Sequence, residues 1–457
     1  MSESNANSDD TTAPHLGSAY GLWLGASTSD MLGRSLCNIA LPYVIVSLTG
    51  STGKAGLVET VGMTAYLAVT LFGGVVVDRI DRRRGMYARG LSGAVLWLAL
   101  ALLLVSGMLR LWHVFVIVVA IRVLDGLFGM ADNAALRSIV TDDVAFTRAV
   151  SINQARNAVV RIGGGPLGGF LYGIVHALPF FVASVLLALL ALLARLIRLD
   201  LRPPQPKEHD ESQDPGQLSE QFSRGDDRTA SAVRPESGGQ VRRVFTDIAD
   251  GFRFIWNEPA MRASLLILML VNTGFAFTLN SASYHLIRSG YSAFQLSLME
   301  ALYAVLMIIG SALAGRFIQR LRAGRVLLVT FLVMFGISAA SAVNHTYVAL
   351  LIWLALFGLV FPFSASVMQG YAFSTTPGAL QGRVNSVLAI SELLLTAFVP
   401  AITGVLVQQG YTTPSFALGA LIAGLAVLAL LASRSLRTLG QPSQWHTDSP
   451  VSGDNNS

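Results

Sequence analysis

The 457-residue sequence contains little charge: Asp, Glu, Lys and Arg make up 13% of it, against about 25% in soluble domains. Hydrophobic residues make up 53% of the chain, and its mean hydropathy is +0.57. This balance excludes an ordinary soluble domain. It indicates that most of the chain faces a lipid bilayer.

Motifs for nucleotide use, metal binding and covalent catalysis are also missing. The sequence has no P-loop, no zinc-type Cys and His spacing and no nucleophile elbow, which argues against an enzyme, an ATP-driven pump, a cofactor or a metal site. The energy source must then be an ion gradient or the gradient of the substrate itself. The single cysteine, Cys37, excludes a disulfide framework within the chain.

The net charge of +5 does not indicate nucleic-acid binding, because the arginines cluster in short loops between apolar runs. The segment before Gly21 is polar and lacks a basic start, so it does not resemble a cleavable signal peptide. The first apolar run must therefore target the chain to the membrane.

A spanning helix needs about 20 mainly apolar residues. Twelve such runs occur, six on each side of a polar stretch: Tyr20–Leu48, Ala55–Val77, Tyr87–Met108, Trp112–Met130, Ala149–Val175, Leu178–Ile197, Met261–Ser283, Phe294–Phe317, Val326–Val343, Tyr347–Phe373, Val384–Val407 and Ser415–Ala432. The pattern predicts an all-α membrane protein with twelve transmembrane helices in two pseudo-symmetric bundles of six.

The polar segments divide the chain. We expect a disordered N-terminal tail (1–17), a first bundle (18–200), a linker (201–243), a second bundle (244–436) and a disordered C-terminal tail (437–457). The linker is rich in proline and charge and cannot bury enough apolar surface to fold. Val244–Asn257 is amphipathic and is expected to lie along the membrane face.

The distribution of basic residues predicts the orientation. Loops after the even-numbered runs are rich in arginine, whereas those after the odd-numbered runs hold only Lys54, Arg110 and Arg288. Because cytoplasmic loops carry the excess of Lys and Arg, both termini and the linker are expected in the cytoplasm of a multi-pass protein of the plasma (inner) membrane.

The loop after the second run carries the strongest local motif, G-x-x-x-D-R-x-x-R-R at positions 74–83. It resembles the loop signature between helices two and three of the major facilitator superfamily, although Asp81 stands where a glycine is usual. The resemblance implies a conformational latch on the cytoplasmic side in the outward-open state. Its members would be Gly74, Asp78, Arg79, Arg82, Arg83 and, at the end of the fourth helix, Asp142.

The fourth run contains Arg122 and Asp125, which resemble the R-x-x-Q-G element of the same superfamily. An arginine near the bilayer centre needs a partner. Asp125 lies one turn away on the same face, so one interpretation is that the two side chains neutralise each other. Alternatively, Arg122 tunes a carboxylate that carries a proton.

The fifth run contains Gly165, Pro166, Gly168 and Gly169, which resemble the glycine-proline element of exporters in the superfamily, compacted by one residue. The glycines permit close helix packing and the proline bends a helix. In the family this bend is associated with antiport, so the resemblance implies export.

Charged residues inside the runs are candidates for ion coupling. Asp30 and Arg34 share a face of the first run near the midplane, and Glu392 has a similar depth in the eleventh. Since a carboxylate held away from water can exchange protons, the proton-coupling candidates are Asp30, Asp125 and Glu392, with Arg122. Candidates for lining a substrate cavity are Arg34, Asn38, Arg161, Asn272, Asn280 and Glu300.

Further segments resemble the macrolide-efflux and enterobactin-exporter branch of the superfamily: Ala40–Pro42, Leu48–Ser51, Asn153 and Gly382–Ser386. The resemblance implies a monomeric exporter of amphipathic small molecules driven by protons. An alternative is a dedicated exporter of one endogenous metabolite such as a siderophore. It is suggested by an excess of basic over acidic residues in the first bundle. The basic residues counted are Arg34, Arg122, Arg156 and Arg161, and the acidic ones are Asp30, Asp125 and Asp132. A further alternative is a membrane receptor that binds a partner through the linker.

Overall fold

The computed structural model describes residues 17–77, 81–140, 142–199 and 237–441, and the secondary structure found there is helical. The helices of the first part are α1 (Gly17–Thr49), α2 (Thr52–Val77), α3 (Arg82–Val105), α4 (Leu111–Ile139), α5 (Asp143–Ile174) and α6 (Leu178–Leu196). Those of the second part are α7 (Ser237–Asn257), α8 (Pro259–Arg288), α9 (Ala293–Phe317), α10 (Ala323–Val343), α11 (Tyr347–Thr375), α12 (Gln381–Thr396), α13 (Val399–Gln408), α14 (Thr412–Ala432) and α15 (Arg434–Arg437).

Every apolar run in the sequence forms helix, but several boundaries differ from those expected, most clearly in the fourth and eleventh runs. The fourth helix continues to Ile139, nine residues past the predicted Met130. The eleventh run is divided into α12 and α13. Pro400 lies in the first turn of α13, the helical position where the missing N–H of a proline is tolerated.

The segment expected as a linker lies mostly outside the described residues, as do the two tails apart from their inner ends. Helix α7 begins at Ser237, so it includes the last residues of that segment. On α7 the exposed side chains of Phe252 and Trp256 stack with ring centroids 5.4 Å apart.

Ten stretches of described helix are long and apolar enough to cross a membrane. They belong to α1, α3, α4, α6, α8, α9, α10, α11, α12 with α13, and α14. Large apolar side chains such as Val95, Leu192 and Leu428 are exposed on these helices, as expected where a helix faces lipid. The chain is therefore an all-α membrane protein.

Two helix pairs bring residues 17–199 against residues 237–441. Helix α2 packs against α13, and α5 packs against α9. Within the first part, α1 packs against α5 and α6, and α2 packs against α4; within the second, α8 packs against α14. The space enclosed by α1, α2, α4, α8 and α9 therefore lies between the two parts.

Candidate functional site

A buried ion-pair cluster joins three helices of the first part. Arg89 of α3 donates from Nε and Nη2 to Oδ1 of Asp125 on α4, at 2.9 and 2.8 Å. Its Nη1 lies 3.1 Å from Oδ2 of Asp30 on α1. All three side chains are buried. Since a buried charge is tolerated only when it is paired, Arg89 holds both carboxylates in place.

Asp30 has a second cationic neighbour on its own helix. Arg34 Nη2 donates to Asp30 Oδ2 at 2.6 Å, and the Arg34 side chain is 41% exposed. The other carboxylate oxygen of Asp30, Oδ1, is buried and has no hydrogen-bond partner among the described residues. The prediction that Asp30 and Arg34 share a face of α1 is thus matched by a direct ion pair.

Of the two alternatives for Arg122 and Asp125, mutual neutralisation is not what the structure shows. Asp125 pairs with Arg89, and Arg122 instead lines a cavity together with Glu59 of α2. Sequence reasoning missed Arg89 and Glu59, although each is a charged residue within an apolar run, the signal that marks a functional candidate in a membrane helix.

That cavity has a volume of about 400 Å³ and lies between the two parts of the chain. Helices α1, α2 and α4 supply one side and α8 and α9 the other. Its walls are mainly apolar, with contributions from Ile39, Leu41, Pro42, Ile45, Ala55, Met63, Val118, Leu279, Ile287 and Leu296. A small-molecule site has this size and character.

Polar groups enter the cavity at a few points. Tyr284 Oη of α8 donates to Glu59 Oε2 at 3.1 Å, which links the second part of the chain to the first. Glu59 also interacts electrostatically with Arg122 and with Glu300 of α9. The remaining polar lining residues are Asn38, Asn280 and Ser283.

Three of the six residues predicted to line a substrate cavity therefore lie at this one: Asn38, Asn280 and Glu300. Arg34, Arg161 and Asn272 do not line it. Arg34 forms an ion pair with Asp30, whereas Arg161 is exposed on α5. Glu392, expected to be a buried acid, is exposed on α12.

Hydrogen bonds between the two parts of the described chain gather at one end of the cavity. Thr52 N and Oγ1 donate to Gln408 Oε1 and Gly404 O, at 2.8 and 2.9 Å. Tyr43 Oη donates to Tyr291 O at 3.0 Å. This end, which also includes the α1–α2 and α8–α9 turns, is closed.

Glycines allow the backbones to meet there. A Cβ on Gly169 of α5 would lie 2.5 Å from the Ala293 carbonyl oxygen of α9, and one on Gly168 would lie 2.7 Å from the Leu36 carbonyl oxygen of α1. Gly165 has looser surroundings, and Pro166 lies within a helix that continues to Ile174. The glycines of the glycine-proline element thus allow α5 to pack closely against both α1 and α9.

The predicted latch is described only in part. Asp78 and Arg79 lie outside the described residues, and Gly74 is in the last turns of α2. Arg82 donates to Ser138 Oγ, and Arg83 donates to Ile197 O at 3.1 Å. Asp142 accepts a hydrogen bond from Ala145 N at 2.7 Å and so caps the start of α5.

Comparison with known proteins identifies the family. The model of the Major Facilitator Superfamily matches residues 23–296 and 273–452. The enterobactin exporter EntS of Citrobacter koseri is 24% identical over 435 residues, covering 89% of this chain and 90% of the relative. EntS of Salmonella typhimurium is 25% identical over 442 residues, covering 91% of each chain.

Solved structures of other transporters share the fold. A bacterial homologue of the iron transporter ferroportin, in an inward-facing state, has a TM-score of 0.65 at 14% identity and covers 91% of this chain and 98% of its own. The nucleoside transporter NupG has a TM-score of 0.62 at 12% identity, covering 91% of this chain and 98% of its own. The chain resembles the enterobactin exporters at 24–25% identity, belongs to the Major Facilitator Superfamily, and is a multi-pass inner-membrane transporter rather than an enzyme.

Proposed function

We propose that the chain exports amphipathic small molecules of the drug or macrolide kind by alternating access, in exchange for protons and as a monomer. The observation that carries the proposal is the cavity of about 400 Å³ between the two parts of the chain, closed at one end by direct contacts between them. A site at the interface of two rocking bundles can open to one side of the membrane at a time.

The proposal includes twelve spanning helices in two bundles of six, 18–200 and 244–436, joined by the 201–243 linker. The charged helices α2 and α5 would supply the two spans beyond the ten apolar ones. Their packing against α4 and α13, and against α1 and α9, supports this arrangement because each of them lies beside helices that are long and apolar enough to cross a membrane.

With both termini in the cytoplasm, the closed end of the cavity is the outer end. The structure then corresponds to an inward-facing state, in which cargo enters from the cytoplasm. In the outward-facing state, the 78–83 loop and Asp142 would latch the cytoplasmic side.

Proton coupling is proposed to act through Asp30 and Asp125. Both carboxylates share Arg89, so a proton on either one weakens an ion pair that holds α1, α3 and α4 together. Binding or release of a proton would therefore change the packing of the first bundle. Glu392 and Arg122 remain candidates for the same task.

A second candidate function is the export of one endogenous metabolite, such as a siderophore. The relatives named as enterobactin exporters, at 24–25% identity, favour it. Deleting the gene and finding an unchanged set of secreted metabolites would count against it.

Drug export and export of a single metabolite predict different accumulation of an amphipathic dye in cells that express the chain. Cells that express the chain are loaded with a fluorescent amphipathic dye, with and without a protonophore. Low accumulation that rises with protonophore supports proton-driven drug export. Accumulation equal to that in empty cells would contradict it and favour the narrow endogenous cargo.

A further inference from the structure

The charge of the central cavity differs from the charge of the first bundle. Among the described lining residues, two are acidic, Glu59 and Glu300, and one is basic, Arg122. The other arginines of the bundle are used elsewhere. Arg34 and Arg89 pair with aspartates, and Arg156 lies over the Trp23 ring and donates to Asn157.

The two glutamates are not equivalent. Glu59 accepts a hydrogen bond from Tyr284 and interacts with Arg122, so its charge is compensated by the protein. Glu300 makes no hydrogen bond or ion pair with any other described residue, and its charged neighbour is the like-charged Glu59. Glu300 is therefore the acidic residue of the cavity that has no partner in the described protein.

We propose that this cavity selects cationic amphiphiles, with Glu300 as the residue that receives the cationic centre of the cargo. The inference rests on the proposed export function and specifies the substrate class of that site. A charge inside the membrane needs a counter-charge, and Glu300 finds none in the described protein. A cation brought by the cargo supplies it.

The rest of the cavity suits the remainder of such a molecule. Ile39 and Leu41 of α1, Met63 of α2, Val118 of α4 and Leu296 of α9 provide apolar wall around the acidic centre. Methionine adapts to ligands of different shape, which fits a range of cargoes rather than one. An anionic cargo would be repelled by the Glu300 carboxylate, and the attraction of Arg122 is offset by the nearby Glu59.

The test uses two ions of nearly the same size and shape but opposite charge, tetraphenylphosphonium and tetraphenylborate. Binding of each to the purified full-length chain in detergent is measured at equilibrium, with empty micelles subtracted. We expect tetraphenylphosphonium to bind more tightly than tetraphenylborate. Glu300→Gln should weaken tetraphenylphosphonium binding by about tenfold or more, because it removes a full charge from a site of low dielectric constant.

Two further variants control for folding and for charge alone. Glu300→Asp keeps the carboxylate and should retain most of the binding. Glu258→Gln removes an exposed carboxylate between α7 and α8, away from the cavity, and should leave binding unchanged. Tighter binding of tetraphenylborate, no binding of either ion, or equal tetraphenylphosphonium binding by Glu300→Gln and wild type would overturn the proposal.

These outcomes are separate from those of the export test. If cells extrude a neutral amphipathic dye in a protonophore-sensitive way while the pure protein ignores tetraphenylphosphonium, export stands and the cationic class is wrong. If the cation binds as expected but no dye is extruded, the site is correct and the proposed transport is not.

Discussion

Tyr284 on α8 donates its hydroxyl to Glu59 on α2 at 3.1 Å, so a side chain from each part of the molecule meets at the wall of the central cavity. The Tyr284 side chain is almost fully buried. A hydrogen bond to an ionised group contributes about 1.5–3 kcal/mol, enough to shift an equilibrium between two conformations. This contact belongs to the closed end of the cavity and should favour the state seen here.

Tyr284→Phe should therefore increase the population in which that end is open. The readout is the distance between spin labels on the exposed positions Leu57 of α2 and Ile402 of α13, in a Cys37→Ser background. A longer-distance component should grow relative to wild type. Tyr411→Phe, at an exposed tyrosine before α14, is the matched control and should leave the distances unchanged. Identical distributions for both variants would show that the Tyr284 hydroxyl does not stabilise the closed end.

Gly169→Ala tests the same closure from the other helix pair. The added Cβ would overlap the Ala293 carbonyl, so α5 and α9 must separate. We expect loss of transport together with a shift toward the open end. Gly163→Ala on the same helix adds a Cβ where no atom lies within 4 Å and should transport like wild type. Normal transport by Gly169→Ala would mean that this close approach is not required.

Removal of Arg89 should be costly. Arg89→Ala leaves the buried Asp30 and Asp125 without their shared cation, and breaking a buried ion pair from one side destabilises by about 3–5 kcal/mol. Arg34→Ala removes a partly exposed partner and should cost about 1 kcal/mol or less. Thermal unfolding in detergent measures both. Similar losses for the two variants would contradict the central position of Arg89 in the cluster.

Orientation is testable with single cysteines in the Cys37→Ser background. Lys54→Cys, exposed in the first turn of α2 at the closed end, should react with a membrane-impermeant maleimide in intact cells. Gln319→Cys, exposed after α9, should react only after the membrane is permeabilised. The reverse pattern would place both termini outside the cell and make the closed end of the cavity cytoplasmic.

The sequence was sufficient for the helices because length and apolar content decide whether a segment can cross lipid, and each run from Tyr20–Leu48 onward forms helix. It also pointed to Asp30 and Asp125 as buried acids. Their partner could not be read from spacing, because Arg89 approaches from a third helix. Sequence neighbours on one helix suggested Arg122 instead.

The residues that line the cavity could also be predicted only in part from the sequence. Asn38, Asn280 and Glu300 were selected as isolated polar residues in apolar runs, a property that Asn272 and Arg161 share without lining the cavity. Which of them converge depends on the rotation of each helix about its axis, and that is set by tertiary packing. The break before α13 had a local signal in Pro400, since the residues ahead of a proline often end a helix.

Proton-driven export is tested most directly in proteoliposomes that contain only the purified chain and a fluorescent amphipathic dye, with a pH gradient imposed across the membrane. We expect dye movement in the direction opposite to the proton flux, its collapse on addition of a protonophore, and no response to the gradient in Asp30→Asn. Dye movement that is the same with and without the gradient would contradict proton antiport.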